Sequence, residues 1–428
     1  MSLLTQGNAR SLYTWVLYLL FFLSGATGLI YEIMWNRKLT LIFGSTVYSV
    51  TTILTVFFAG LALGAYLIGR RVDYIKSPLY LYIGLEFAIG LFGFASPLLF
   101  DAIDWSHSLL YPFLGDTPVR LTALRFALSF IALLIPTTLL GATLPVLVKL
   151  VAKNDAGVAE SAGRLYAVNS LGAALGTLLA ATSLIPLLGV NGSLYLAGFI
   201  NIAIAVFAWL VFKKEAREKA VQQPAARYFH SGVQKYILTL FGVAGFISMA
   251  YQVAWFRLLI QITGTSVYTF GLMLSIFIAG VGLGSAASTR LLPKIRSAVG
   301  MLVLVEILAS VYSLLSVSHF DNLPAFYVSL SLGLAGFSSE VFSPFFLELL
   351  SKAFIATIVF LIPTLMFGAA FPLVATVFAQ RSADSGRDVG VVYAVNTVGG
   401  VLGSFLGGFV FLPILGTQVT IAAMGVAG

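Results

Sequence analysis

Apolar runs of about 20 residues recur along the whole chain, and short segments rich in charged residues, proline and glycine separate them. An α-helix of that length crosses the roughly 30 Å hydrocarbon core of a bilayer, because each residue advances about 1.5 Å. The pattern predicts twelve membrane-spanning helices, six on either side of a polar segment at residues 213–235. The predicted spans are 12–35, 40–69, 78–99, 121–152, 164–187 and 191–212, then 236–258, 265–290, 298–317, 349–379, 389–412 and 416–428.

The two sets of six helices are copies of each other. The stretch from Ser24 to Arg71 returns about 220 residues later, and the offset grows to 227 beyond residues 318–347. A tandem duplication therefore predicts two six-helix repeats, 1–212 and 236–428, with a linker at 213–235. Equivalent positions include Tyr31 and Tyr251, Trp35 and Trp255, Glu32 and Gln252, Glu86 and Glu306, and Arg125 and Lys352.

Composition and the placement of charge indicate an integral membrane protein. Hydrophobic residues make up 59% of the chain and charged residues 9%, against about 45–50% and 25% in soluble domains. Of the 24 Lys and Arg residues, 18 fall on the side of the N-terminus and the linker, which the positive-inside rule places in the cytoplasm. An even number of spans in each repeat gives both the same orientation. We predict an all-α bundle of two parallel repeats, like the two halves of major facilitator transporters.

Several kinds of chemistry have no residues to support them. The chain has no cysteine and only three histidines, so we expect no metal or haem centre. It has no phosphate loop, nucleophile elbow or HExxH motif. The net charge of +8 does not by itself indicate nucleic-acid binding, because 18 of the 24 basic residues fall on one side of the predicted membrane topology. We therefore expect no catalytic residue, cofactor or nucleic-acid partner for these residues; the lipid bilayer is the expected environment.

Two segments lie on the outer side by this topology, 101–118 and 318–347, and both are rich in aromatic residues. We interpret them as short helices in the outer interface, where Trp and Tyr reach the lipid headgroups. A lid over an external opening is the alternative interpretation.

The last predicted span is short. Residues 416–428 cover only about 20 Å as a helix. We expect the natural chain to continue past Gly428 and to emerge in the cytoplasm.

Glycines four residues apart predict close contacts between helices. Asn169 and Asn396 share a face with two of these pairs, and an amide there either bonds a neighbouring helix or contacts a solute. The pairs are Gly60 and Gly64, Gly172 and Gly176, Gly280 and Gly284, and Gly399 and Gly403.

Ionisable residues inside the spans indicate ion pairs or a binding site, because each costs several kcal/mol unless it is paired or hydrated. An ion pair between Glu32 and Arg125 is one interpretation. A cation site is the other, because an acid beside the rings of Tyr31 and Trp35 attracts an ammonium ion. The candidate solute-binding residues are Glu32, Tyr31, Trp35, Glu86, Arg125, Asn169, Tyr251, Gln252, Trp255, Glu306, Lys352 and Asn396.

The first half contains the motifs SGATGLIYEIMWNRKL, GSTVYSV, FFAGLALGAYLIGRR, IPTTLLGATLPVL and RLYAVNSLGAALGTLLA. Together they resemble the membrane part of bacterial proteins that fuse a major-facilitator-like bundle to a spermidine synthase-like domain. The resemblance covers essentially the whole sequence and implies a multi-pass protein of the bacterial inner membrane with a cytoplasmic N-terminus. It also implies an aminopropyltransferase-like domain beyond residue 428, so none of that domain's catalytic residues has a counterpart here.

Two functions fit these observations. The first is a transporter-like module that binds or moves polyamines or a similar small organic cation, linked to a cytoplasmic synthase-like domain. The second is a non-transporting membrane anchor or scaffold, or an accessory subunit of a larger membrane complex, which the scarcity of ionisable groups within the spans favours. Catalysis by the membrane part is a third interpretation, which no motif supports.

The orientation can be tested with single cysteines, because the chain has none of its own. We expect Ser108→Cys to react with a membrane-impermeant maleimide in intact cells and Ser231→Cys to react only after lysis. The physical reason is the excess of basic residues on the side of the linker. Labelling of Ser231→Cys from outside would reverse the predicted orientation.

Overall fold

The computed structural model describes residues 2–43, 46–114, 117–152, 155–213, 232–337, 342–379 and 385–428, and this part of the chain contains helices and no strand. The helices of the first half are α1 (Ser2–Phe43), α2 (Thr46–Val72), α3 (Pro78–Leu114), α4 (Pro118–Val151), α5 (Asp155–Leu179) and α6 (Ile185–Phe212). Those of the second half are α7 (Gly232–Thr263), α8 (Val267–Leu291), α9 (Ala298–Val317), α10 (Leu323–Ala335), α11 (Pro344–Ala379), α12 (Ser385–Leu406) and α13 (Leu412–Ala427).

Twelve spans emerge once two unusually long stretches are divided. Ten apolar stretches of the described chain are long enough to cross a bilayer, and two of them, 157–212 and 386–427, have 56 and 42 residues and are the longest. In each, one helix runs through a π-helical turn into the next. Gly189 and Gly416 then interrupt the helix at φ 67° and 76°, a region that favours glycine. The predicted all-α bundle of two repeats is confirmed.

The outer segments of the two halves differ. The prediction of a separate short helix at 101–118 is wrong, because α3 continues without interruption to Leu114. Residues 98–111 contain neither glycine nor proline, so nothing there ends the helix. In the second half α9 ends at Val317, and α10 follows as a separate helix of 13 residues, too short to cross the bilayer. Residues 115–116 and 338–341 of these segments lie outside the described chain.

The predicted glycine pairs are sites of close packing. A Cβ atom at Gly60 would collide with the Thr137 side chain, and one at Gly64 with the carbonyl of Thr138, so α2 and α4 touch through backbone. The second half repeats this contact between α8 and α11, where Gly280 faces Thr364 and Gly284 faces Leu365.

Asn169 and Asn396 each link two further helices, one pair in each half. Asn169 Nδ2 donates to the Phe21 carbonyl at 3.1 Å, which joins α5 to α1. Asn396 Nδ2 donates to the Phe241 carbonyl at 2.9 Å, which joins α12 to α7. The interpretation that these amides bond a neighbouring helix is confirmed.

The halves meet toward both ends of the bundle. At the end of α2, Asp73 pairs with Lys149 at 2.8 Å and accepts a hydrogen bond from the Arg387 amide of α12 at 2.9 Å. Near the start of α2, the ring of Tyr48 stacks on Phe409 of the other half, with centroids 5.6 Å apart. The space between the halves is therefore bounded at each end by direct contacts.

The packing can be tested by adding one methyl group. A Cβ atom at Gly403 would collide with the Phe246 carbonyl, whereas one at Gly84 would meet nothing within 4 Å. We expect Gly403→Ala to lower the free energy of unfolding by about 1–3 kcal/mol, because overpacking forces the helices apart. Gly84→Ala should leave it unchanged or raise it slightly, because alanine favours the helix. Thermal unfolding of the purified protein in detergent measures both, and equal stability of the two variants would contradict this account.

Candidate functional site

A cavity of about 180 Å³ lies where the two halves face each other. Its walls come from α1, α2, α4 and α5 of the first half and from their copies α7, α8, α11 and α12 of the second. One further side chain, Glu306 of α9, reaches the cavity. The lining is mostly apolar and aromatic, and among the described residues that form it there is no lysine, arginine or histidine. Mostly apolar cavities with a few polar groups are typical ligand sites.

Glu32 on α1 is the first acid of this cavity. It is 3% exposed, and within the described chain no hydrogen bond or ion pair joins it to another residue. Gly28 and Gly25 precede it by four and seven residues and line the cavity with it. These spacings put them on the same helix face, and the absence of their side chains leaves space beside the carboxyl group.

Gln252 occupies the equivalent place on α7 and also lines the cavity. It is 4% exposed and, among the described residues, has no hydrogen-bond partner. Ser248 and Gly245 stand where the first half has its two glycines. The duplication therefore produces two matching polar positions, of which one carries charge.

Three more predicted residues reach the same cavity: Asn169, Asn396 and Glu306. The two asparagines already use Nδ2 to bond a neighbouring helix. Glu306 makes no hydrogen bond or ion pair within the described chain, and its Oε1 is buried. It is the second acid of the cavity.

Two tyrosines of the cavity are absent from the predicted set. Tyr166 and Tyr393 line it and are equivalent in the two repeats. Tyr166 packs against Phe371 and Tyr393, with ring centroids 4.6 Å and 6.2 Å apart. The signal that could have found them is the repeated YAVN motif, in which each tyrosine lies three residues before the predicted asparagine.

Tyr31, Trp35 and Glu86 are not brought to the cavity. The rings of Tyr31 and Trp35 stack at 5.4 Å, and Trp35 Nε1 donates to Ser96 Oγ at 3.2 Å. Asn201 of α6 joins the other two, because its Oδ1 accepts from the Tyr31 hydroxyl at 3.0 Å and its Nδ2 donates to Glu86 Oε2 at 2.7 Å. These side chains hold α1, α3 and α6 together.

Tyr251 and Trp255 repeat the aromatic stack in the second half, with centroids 4.6 Å apart. Both are buried, and the ring of Trp255 also packs against Phe360 at 5.7 Å. They too lie outside the lining of the cavity.

The basic residues of the predicted set lie elsewhere. Arg125 Nε donates to His107 Nε2 at 3.0 Å, and Lys352 pairs with Glu348 one turn earlier at 2.7 Å. The ion pair predicted between Glu32 and Arg125 is therefore not formed. The acids of the cavity have no basic partner within the described chain.

This arrangement suits a positively charged organic molecule. Two carboxyl groups stand in a largely apolar space where charge is poorly screened. Neutral amides and tyrosine hydroxyls supply further hydrogen-bonding groups, and tyrosine faces attract cations. The described residues contain no group of three or more His, Cys, Asp or Glu side chains that could hold a metal ion.

Solved structures with the same architecture cover nearly all of this chain. The human organic anion transporter MFSD10 aligns with a TM-score of 0.57 at 14% identity, over 98% of this chain and 97% of its own. The chain has the major facilitator fold. The transporter FucP aligns over the same shares with a TM-score of 0.55 at 14% identity. A bacterial homologue of the iron transporter ferroportin aligns with a TM-score of 0.53 at 12% identity, over 97% of this chain and 98% of its own. In this fold, the two major facilitator halves enclose the cavity described above.

Curated sequences give a second, partial similarity. A polyamine aminopropyltransferase of Oceanobacillus iheyensis is 25% identical over 192 residues, which is 44% of this chain and 34% of the relative. One of Corynebacterium efficiens is 26% identical over 212 residues, which is 49% of this chain and 37% of the relative. The matched part of this chain thus spans about a third of the length of these relatives. No family model matches the sequence.

Replacing Asn201, whose amide joins Tyr31 to Glu86, tests this network. We expect Asn201→Ala to lower the free energy of unfolding by about 1–3 kcal/mol, because it strips a buried carboxyl group and a buried hydroxyl of their partner. Asn191→Ala, at an exposed position of the same helix, is the matched control and should have little effect. Thermal unfolding in detergent measures both, and equal losses for the two variants would argue against the network.

Proposed function

We propose that this protein is a membrane transporter of small organic cations and that the central cavity is its binding site. The observation that carries the proposal is the electrostatics of the lining. Glu32 and Glu306 face the cavity without a partner in the described chain, and no basic residue lines it there. Buried acids in a membrane interior are costly unless something compensates their charge. A bound cation provides that compensation.

The neutral side chains of the cavity fit the same solute. The faces of Tyr166 and Tyr393 offer cation–π attraction to an ammonium group. Leu54, Phe57 and Leu274 provide apolar contacts for the carbon chain that carries it. A zwitterionic amino acid or an organic anion would find no basic side chain among the described lining residues to hold its carboxylate.

Polyamines are the class of cation that we favour. The curated relatives are named polyamine aminopropyltransferases, and the motifs of this chain resemble membrane domains fused to such enzymes. We propose that the bundle lies in the bacterial inner membrane with its N-terminus in the cytoplasm, and that it serves a cytoplasmic synthase-like domain by exchanging substrate or product. Any aminopropyl transfer would belong to that domain and not to these residues.

A purely structural anchor explains less of the site. A scaffold needs helices that pack, and the glycine and asparagine contacts supply that in both halves. It does not need two unpartnered acids in a cavity between the halves. The scarcity of ionisable groups within the spans is the observation in favour of the scaffold, but it leaves these two acids unexplained.

Replacing the first acid tests the proposed site. We expect Glu32→Gln to weaken the binding of putrescine and spermidine to the purified protein by about tenfold or more. The reason is that a charge-assisted hydrogen bond contributes about 1.5–3 kcal/mol. Isothermal titration calorimetry in detergent gives both affinities.

Glu160→Gln is the control for the loss of one negative charge. This side chain is 48% exposed and pairs with Arg164 on the surface, where an ion pair contributes little. The control should bind like the natural protein. Unchanged affinity in Glu32→Gln would rule out the assigned site, and a lack of amine binding by the natural protein would rule out the solute class.

A further inference from the structure

The two halves place equivalent acids in different surroundings. Glu86 on α3 and Glu306 on α9 hold the same position in the two repeats. Glu86 lies outside the cavity lining, is fully buried and accepts a hydrogen bond from Asn201 Nδ2 at 2.7 Å. Glu306 lines the cavity, and no hydrogen bond or ion pair joins it to another described residue. The duplication therefore supplied two acids, and only one of them faces the cavity.

The residue that bonds Glu86 differs between the two halves. The offset of 227 residues that pairs Gly198 with Gly425 also pairs Asn201 with Gly428. The second half thus has no side chain where the amide of the first half holds its acid against α6. Glu306 therefore lacks the amide partner that Glu86 has, and it lines the cavity.

At the position of Glu32 the difference between the halves runs the other way, because here the second half has lost the acid. Glu32 in the first half is replaced by Gln252 in the second, and both side chains line the cavity. The two exchanges together leave each half with one acid that faces the cavity, Glu32 from the first and Glu306 from the second. The cavity therefore carries two carboxyl groups, each on a different half.

We propose that Glu306 is a second anchor for the solute, so that the site selects cations with two positive charges. One ammonium group pairs with Glu32 and the other with Glu306. This inference rests on the proposed function and adds to it the charge number of the solute and the residue that recognises it. An apolar lining that includes Phe57 and Phe277 suits the methylene chain between the two charges.

The physical basis is the cost of an uncompensated charge. A monoamine leaves one of the two acids without a partner in a poorly hydrated space, whereas a diamine of suitable length compensates both. Each charge-assisted contact is worth about tenfold or more in affinity. A diamine should therefore bind about tenfold or more tightly than the monoamine with the same carbon chain.

The test compares amines that differ by one charge. Affinities of the full chain in detergent are measured for the diamines from 1,3-diaminopropane to 1,6-diaminohexane and for the monoamine of each length. The preference is the ratio of affinities for the best diamine and its matching monoamine. We expect a ratio of about ten or more in the natural protein and a ratio near one in Glu306→Gln, with monoamine affinity retained.

Two further variants separate this role from a structural one. Glu86→Gln makes the same substitution at the equivalent position of the first half and should keep the preference for diamines. Glu306→Asp keeps the charge and should also keep the preference, which guards against loss of folding in the amide variant. Thermal unfolding verifies that each variant is folded.

The outcomes distinguish failure of the second anchor from failure of the proposed function. Amine binding that depends on Glu32, with the same preference in Glu306→Gln as in the natural protein, overturns the second anchor and leaves the proposed function standing. Loss of the preference in both Glu86→Gln and Glu306→Gln also overturns it. If the natural protein binds neither kind of amine, the proposed function itself fails.

Discussion

A polar group inside a bilayer needs a partner within the protein or contact with water. This constraint divides the polar side chains of the bundle into two groups. Asn169 and Asn396 satisfy it by bonding the backbone of a neighbouring helix, and Glu86 satisfies it at Oε2, which accepts from Asn201. Glu32 and Glu306 do not satisfy it within the described chain. Both of these acids line the cavity, which is why that region is the candidate for a solute.

The repeat explains why the rest of the bundle can hold this arrangement. Contacts between small residues and backbone recur in both halves at equivalent positions, so each half is fastened by the same set of helix pairs. Within this repeated frame, exchanges at a few positions change which polar groups each half contains. Glu32 opposite Gln252 and Asn201 opposite Gly428 are exchanges of this kind.

Much of the fold could be predicted from the sequence, because apolar run length, glycine spacing and the internal duplication can be recognised without knowing any three-dimensional contact. The composition of the cavity could not. Tyr31 and Trp35 share a face of α1, and Glu32 is only one residue from Tyr31, but a helix turns by about 100° per residue. That rotation puts the rings against α3 and α6 and the acid into the cavity. Because α1 is buried on several sides, no polar face marks the direction of the site. Likewise, the duplication aligns Glu86 with Glu306, and only the structure shows that Asn201 bonds the first acid and that the second lines the cavity.

The breaks at Gly189 and Gly416 have a mechanical consequence. Because one glycine interrupts each long helix, α5 leads to α6 and α12 to α13 with no loop between them. A connection this short limits how far the two spans can separate. The span before Gly189 carries Tyr166 and Asn169 of the cavity wall, and the span after it carries Asn201, which bonds Glu86. The helix that holds the buried acid is thus joined to a wall of the cavity by the backbone alone.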